Sequence, residues 1–103
     1  MTTNQKPADD KEIQLLRIFK VIDALSKGHK DFELLADTPV IDGKKVFELD
    51  TQFKELSSQG AFNYSGSLTE KTQSSIKTYY KIQMNGQSID QWRKRASEVL
   101  GNT

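Results

Sequence analysis

The sequence predicts an α+β domain, mainly helical, in which three helices lead into a two-stranded β-ribbon followed by a C-terminal helix. Three observations carry this prediction. Apolar residues recur at helical spacing near both ends: Ile13, Leu16, Phe19, Ile22 and Leu25 early, Ile89, Trp92, Ala96, Val99 and Leu100 late. After Gly60 the apolar period drops to two, the signature of a half-buried strand. Glycines stand where these patterns stop, at Gly28, Gly60 and Gly101.

Residues 1–8 are polar and read as a tail, residues 9–87 as the core of the domain, and residues 88–103 as a helix for packing or dimerisation. In the first helix Leu15, Ile18 and Val21 widen the apolar stripe, so most of its faces need covering. Asp9 and Asp10 can cap its start, Glu12 suits its first turn, and Lys27-Gly28 supplies the stop. Asp31 can cap a second, short helix through Phe32, Leu34, Leu35 and Ala36, ended by Asp37 or Thr38 because Pro39 restrains the residue before it.

Residues 40–59 admit two readings. In the favoured one Asp42 caps a helix running to Ser58, with Val46, Leu49, Phe53 and Leu56 on one stripe at steps of three, four and three. In the other, Asp42-Gly43 is a type I′ hairpin turn between Val40-Ile41 and Lys44–Leu49, and the helix starts near Asp50. Beyond Gly60, Phe62 and Tyr64 share a face of a short strand that Ser65-Gly66-Ser67 breaks or bulges. Ile76, Thr78, Tyr80, Ile82 and Met84 share a face of a longer strand, with Lys77, Tyr79, Lys81 and Gln83 on the other. The polar run Thr69–Ser75 forms a long ribbon tip, Asn85-Gly86 ends the ribbon, and Ser88 can cap the last helix.

The order of elements resembles that of winged helix-turn-helix domains, the DNA-binding units of the IclR, MarR and PadR regulator families. Residues Leu15 to Gly28 look like the first helix of those domains, which ends in a charged residue and Gly. Leu35-Ala36, nine residues, then Val46 is similar to their spacing from second helix to recognition helix. Phe53-Lys54-Glu55-Leu56 followed by Gly60-Ala61-Phe62 resembles their helix exit, and Tyr80-Lys81-Ile82-Gln83-Met84-Asn85-Gly86 looks like their last wing strand. The likeness spans residues 12 to 100, with longer joints than usual and a recognition helix that carries few Arg, Asn or Gln residues.

What the resemblance implies is sequence-specific binding of double-stranded DNA by a small regulator of transcription, plasmid or phage functions, as a homodimer in the cytoplasm at the nucleoid. In that docking the third helix presents Lys44, Lys45, Glu48, Thr51 and Gln52 to the major groove, the lysines facing phosphates and Gln52 an adenine edge. The wing would bring Lys71, Thr72, Lys77, Tyr79 and Lys81 to the flanking backbone. The apolar residues Ile89, Trp92, Ala96, Val99 and Leu100 would pair with a second copy or, in a monomer, pack on the first helix. A protein-interaction module, or a mobile-element inhibitor of a larger protein, is the alternative.

Composition bounds these readings. The 103 residues carry 15 Lys+Arg against 14 Asp+Glu, and no cysteine, which excludes a disulfide scaffold, a thiol enzyme and a cysteine-based zinc site. The net charge of +1 divides unevenly, with residues 1–60 at −2 and residues 61–103 at +3. No apolar run approaches the ~18 residues of a membrane span, and the N-terminal residues lack the apolar core of a secretory signal. His29 is the one histidine, and the carboxylates are scattered over caps and outer faces, so neither catalysis nor a cofactor is expected.

Overall fold

The first helix, α1, spans Asp10–Ser26 and begins as its sequence demands: Asp9 accepts a hydrogen bond from the Glu12 N–H at 2.7 Å. It ends with Lys27 itself in the left-handed conformation, φ 52°, ahead of Gly28. A computed structural model describes residues 9–71, 73 and 76–101; the expected tail over residues 1–8, and Thr72 in the expected ribbon tip, lie outside the described residues.

The expected short second helix is instead a strand, β1, Asp31–Leu35. Two turns of helix lack the length to hold themselves in water. As a strand the same residues alternate, with Leu34 buried, Phe32 half-buried, and Asp31 and Glu33 exposed. The strand's backbone groups are satisfied by a later strand, β5, Ile76–Gln83, which it pairs antiparallel from Asp31↔Gln83 to Leu35↔Tyr79.

The longer helix from Asp42 is also replaced. Asp42 and Gly43 have φ of 52° and 76°, the backbone of a type I′ turn, which glycine enters without penalty. They join strands β2, Pro39–Ile41, and β3, Lys44–Lys45, in a small hairpin. A 3-10 helix, Val46–Leu49, follows, and the second α-helix, α2, is Asp50–Ser58. The stripe that suggested one helix survives, since Val46, Leu49, Phe53 and Leu56 are all 0% exposed. Its first step of three belongs to a turn of three residues, and only the later steps belong to an α-helix.

Strand β4, Asn63–Lys71, leaves the body of the domain beside β5, with the expected irregularity between Tyr64 and Ser67. Thr69, Glu70 and Lys71, expected in a loose tip, are strand residues opposite Thr78, Lys77 and Ile76. The expected two-stranded ribbon is therefore part of a three-stranded sheet, order β1-β5-β4, which narrows to two strands beyond the end of β1. Ile76 points along the core face but lies past the core, at 68% exposure.

The C-terminal helix, α3, Ile89–Leu100, follows Ser88, which holds the cap position without a side-chain cap bond. Ala96 is buried, and Ile89, Trp92, Val99 and Leu100 are half-buried against the core of the same chain. The face expected for dimerisation thus packs on α1 of the same chain, with Ile89, Trp92, Val99 and Leu100 still partly exposed. The Arg93 guanidinium donates to both Asp23 oxygens at 3.0 and 3.3 Å, and Arg95 to both Glu12 oxygens at 3.0 and 3.2 Å, clamping the two helices in register. Helix still outweighs strand, and the mixed α+β class expected from sequence holds.

Candidate nucleic-acid interface

The residues expected to contact DNA fall in two groups, one on the hairpin and one on the ribbon. Lys44 and Lys45 are both exposed on β3, and not at a helix N-terminus as the favoured sequence reading had them. Glu48 is exposed, and its Oε2 accepts the Lys45 N–H at 2.8 Å, fastening the start of the 3-10 helix. Thr51 is exposed in the first turn of α2. Gln52 turns inward, its Oε1 buried with no donor among the described residues, so the expected adenine contact has no acceptor to offer.

On the ribbon, Lys71, Lys77 and Lys81 are exposed and Tyr79 half-buried. Lys77, Tyr79, Lys81 and Gln83 alternate with the buried Tyr80 and Ile82, so they share the face of β5 turned from the core. The hairpin and the base of the ribbon are linked through Ala36, while Lys71, opposite Ile76, lies on the core-side face of the ribbon and not with Lys77 and Lys81. The Phe47 N–H donates to the Ala36 carbonyl at 3.0 Å, and the Ala36 N–H donates to the Thr78 carbonyl at 2.9 Å. Residues 44–47 and the base of the ribbon are therefore two hydrogen bonds apart.

Several ions on the helices are paired, Lys11 with Glu55 at 2.8 Å, Lys54 with Asp50, Arg93 with Asp23 and Arg95 with Glu12 at 3.0 Å, whereas Lys27 and Lys94 have no ion-pair partner among the described residues. Arg17 holds Asp42 at the hairpin turn with contacts of 2.9 and 3.2 Å, pinning the hairpin to α1. Lys44, Lys45, Lys71, Lys77 and Lys81 have no ion-pair partner among the described residues. Glu70 and Glu33 are the cross-strand neighbours of Lys77 and Lys81 and temper this field without pairing.

The one strongly perturbed polar contact lies at the join of α2 and the sheet. The Tyr64 hydroxyl donates to Asp50 Oδ1. That bond, with Lys54 beside it, holds the Asp50 carboxyl below the usual carboxylate range. Burial, and then the same carboxylate, push the Tyr64 hydroxyl well above its ordinary value. The site is structural, since both groups are used up by each other.

A cleft of about 780 Å³ opens between α1, α2 and α3, floored by Leu15 and Trp92. The ion pairs Lys11–Glu55 and Arg95–Glu12 cross it, so its charges answer one another. Among the described residues no group of three or more His, Cys, Asp or Glu could hold a metal ion. No described helix is long and apolar enough to cross a membrane.

Sequence reasoning missed two features of this site. Phe47, 51% exposed, went unremarked because it lies off the apolar stripe. The Arg17–Asp42 contact joins residues 25 positions apart, and no local pattern announces it. Compared with known protein families, curated proteins and solved structures, the chain matches none.

Proposed function

We propose that this chain binds double-stranded DNA as a small regulator of transcription, plasmid or phage functions, without a helix-turn-helix since β1 and the β2–β3 hairpin stand where the second and recognition helices were expected, and grips phosphates with the hairpin and ribbon lysines. The observation that carries the reading is a set of exposed lysines with no ion-pair partner among the described residues, Lys44 and Lys45 on the hairpin and Lys77 and Lys81 on the outer face of β5. Exposed lysines on rigid strands are suited to phosphate contacts, which position a protein on a duplex and supply most of its affinity. Further support comes from the order of elements after residue 50, where an amphipathic helix leads directly into a ribbon and then a last helix.

The details differ from major-groove docking led by a helix. The start of α2 carries Asp50, already engaged by Tyr64 and Lys54, and only Thr51 is free to face a groove. The reading therefore weights phosphate contact over base readout.

Fluorescence anisotropy with a labelled random-sequence duplex over a salt series tests this. Five phosphate contacts give a slope of log K against log salt of about −4.5, and changing Lys44 and Lys45 together to Ala reduces it by about 2. Absence of binding at low salt, or binding without a salt slope, contradicts the proposal.

A further inference from the structure

Of the nine aromatic residues, Phe47 is the one left exposed. It belongs neither to the core nor to the hydrophobics packed on it, and no other ring lies against it. Its direction has a local cause. Residues three apart eclipse in a 3-10 helix, so burying Val46 and Leu49 together sends Phe47, between them, outward. The turn is also held firmly. The Val46 N–H donates to the Thr38 carbonyl and the Phe47 N–H to the Ala36 carbonyl, each at 3.0 Å, while Glu48 ties back to the Lys45 N–H. An aromatic face is thus presented on a fixed mount, one residue beyond the two lysines Lys44 and Lys45.

That combination of a fixed π face beside exposed cations suits a polyanion that carries stacked rings. Aromatic side chains stack on bases without regard to sequence, and apolar wedges enter base steps that a protein has kinked. We propose that Phe47 stacks on a base of the bound DNA, entering an unstacked or kinked step while Lys44 and Lys45 hold the neighbouring phosphates. The inference rests on the DNA-binding reading above, and it adds a contact that prefers distorted DNA.

The test compares an intact duplex with one carrying a single-nucleotide bulge flanked by 2-aminopurine, using the full chain, Phe47→Ala and Phe47→Tyr. The wild type is expected to bind the bulged duplex roughly tenfold more tightly and to change the 2-aminopurine fluorescence, because the bulge removes part of the unstacking cost. Phe47→Ala is expected to lose both the preference and the fluorescence change while keeping the salt slope, and Phe47→Tyr to keep all three. Melting of Phe47→Ala at the wild-type temperature shows that the fold is intact, as expected for a side chain outside the core. Equal wild-type binding to both duplexes without a fluorescence change overturns the stacking role and leaves DNA binding standing. A Phe47→Ala protein that behaves like wild type overturns it equally. Failure of the wild type to bind either duplex removes the DNA reading, and this inference with it.

Discussion

The Tyr64 hydroxyl reaches Asp50 from the sheet, joining the first residue of α2 to β4 through one charge-assisted hydrogen bond. Because Asp50 is itself more than a third exposed, solvent screening discounts the contact, and Tyr64→Phe is expected to cost only about 1 kcal/mol. The pH dependence is more diagnostic. Asp50 is depressed in the folded chain, so its contribution is present above its unfolded value and is lost as pH falls through the folded one. Thermal melts of the wild type should therefore lose stability as pH falls below about 4, the ordinary aspartate value. The Tyr64→Phe protein, with the largest cause of the shift removed, should show a shallower loss; an unchanged acid limb would mean that Lys54 alone sets the shift. At this scale the sequence was partly readable. Asp9 as a cap and the lysines as exposed cations followed from residue type, whereas the partner of Asp50 lies 14 positions away and has no local signature.

Among the elements, α1, α3 and β5 were legible because each carries a long run of one period bounded by a cap or a glycine. The segment between Asp31 and Leu49 was not. Its apolar spacing of three is shared by 3-10 and α-helices, and Val46 with Leu49 could not distinguish them. The Phe32–Leu34 alternation was present but short, and its meaning depends on β5, whose open edge lies more than forty residues downstream. Asp42-Gly43 did state the hairpin, and the competing stripe outweighed it. Another element-scale constraint was invisible in sequence. Gly86, between β5 and α3, lies against the Gly60-Ala61 joint between α2 and β4, where a Cβ would stand 2.3 Å from the Gly60 carbonyl oxygen. The Ser88 N–H donates to that same carbonyl at 2.8 Å, so the two joints cannot part without losing it. Gly86→Ala is expected to destabilise the fold by at least about 2 kcal/mol, read by chemical denaturation, since the clash is with backbone. A change below about 0.5 kcal/mol would show that the joints yield freely.

Over the whole molecule, one train of aromatic rings runs from the last helix to the sheet. Trp92 lies 5.9 Å from Phe19, Phe19 6.4 Å from Phe62, Phe62 6.1 Å from Phe53, Phe53 5.6 Å from Tyr64, and Tyr64 6.0 Å from Tyr80. These contacts bind α3, α1, α2 and the sheet into one core and leave the hairpin and ribbon at its margin. Ion pairs tie the helices to one another, and Lys44, Lys45, Lys77 and Lys81 at the margin have none among the described residues. The candidate site was thus legible as residues but not as a surface, because the sequence suggested a helix where a hairpin carries Lys44 and Lys45. An amide-resolved NMR titration of the chain with duplex DNA at low salt tests the central claim most directly. The account predicts shifts concentrated at Lys44–Phe47 and at Lys71, Lys77, Tyr79 and Lys81, fading as salt is added. Shifts confined to α1 and α3, or none at all, would contradict it.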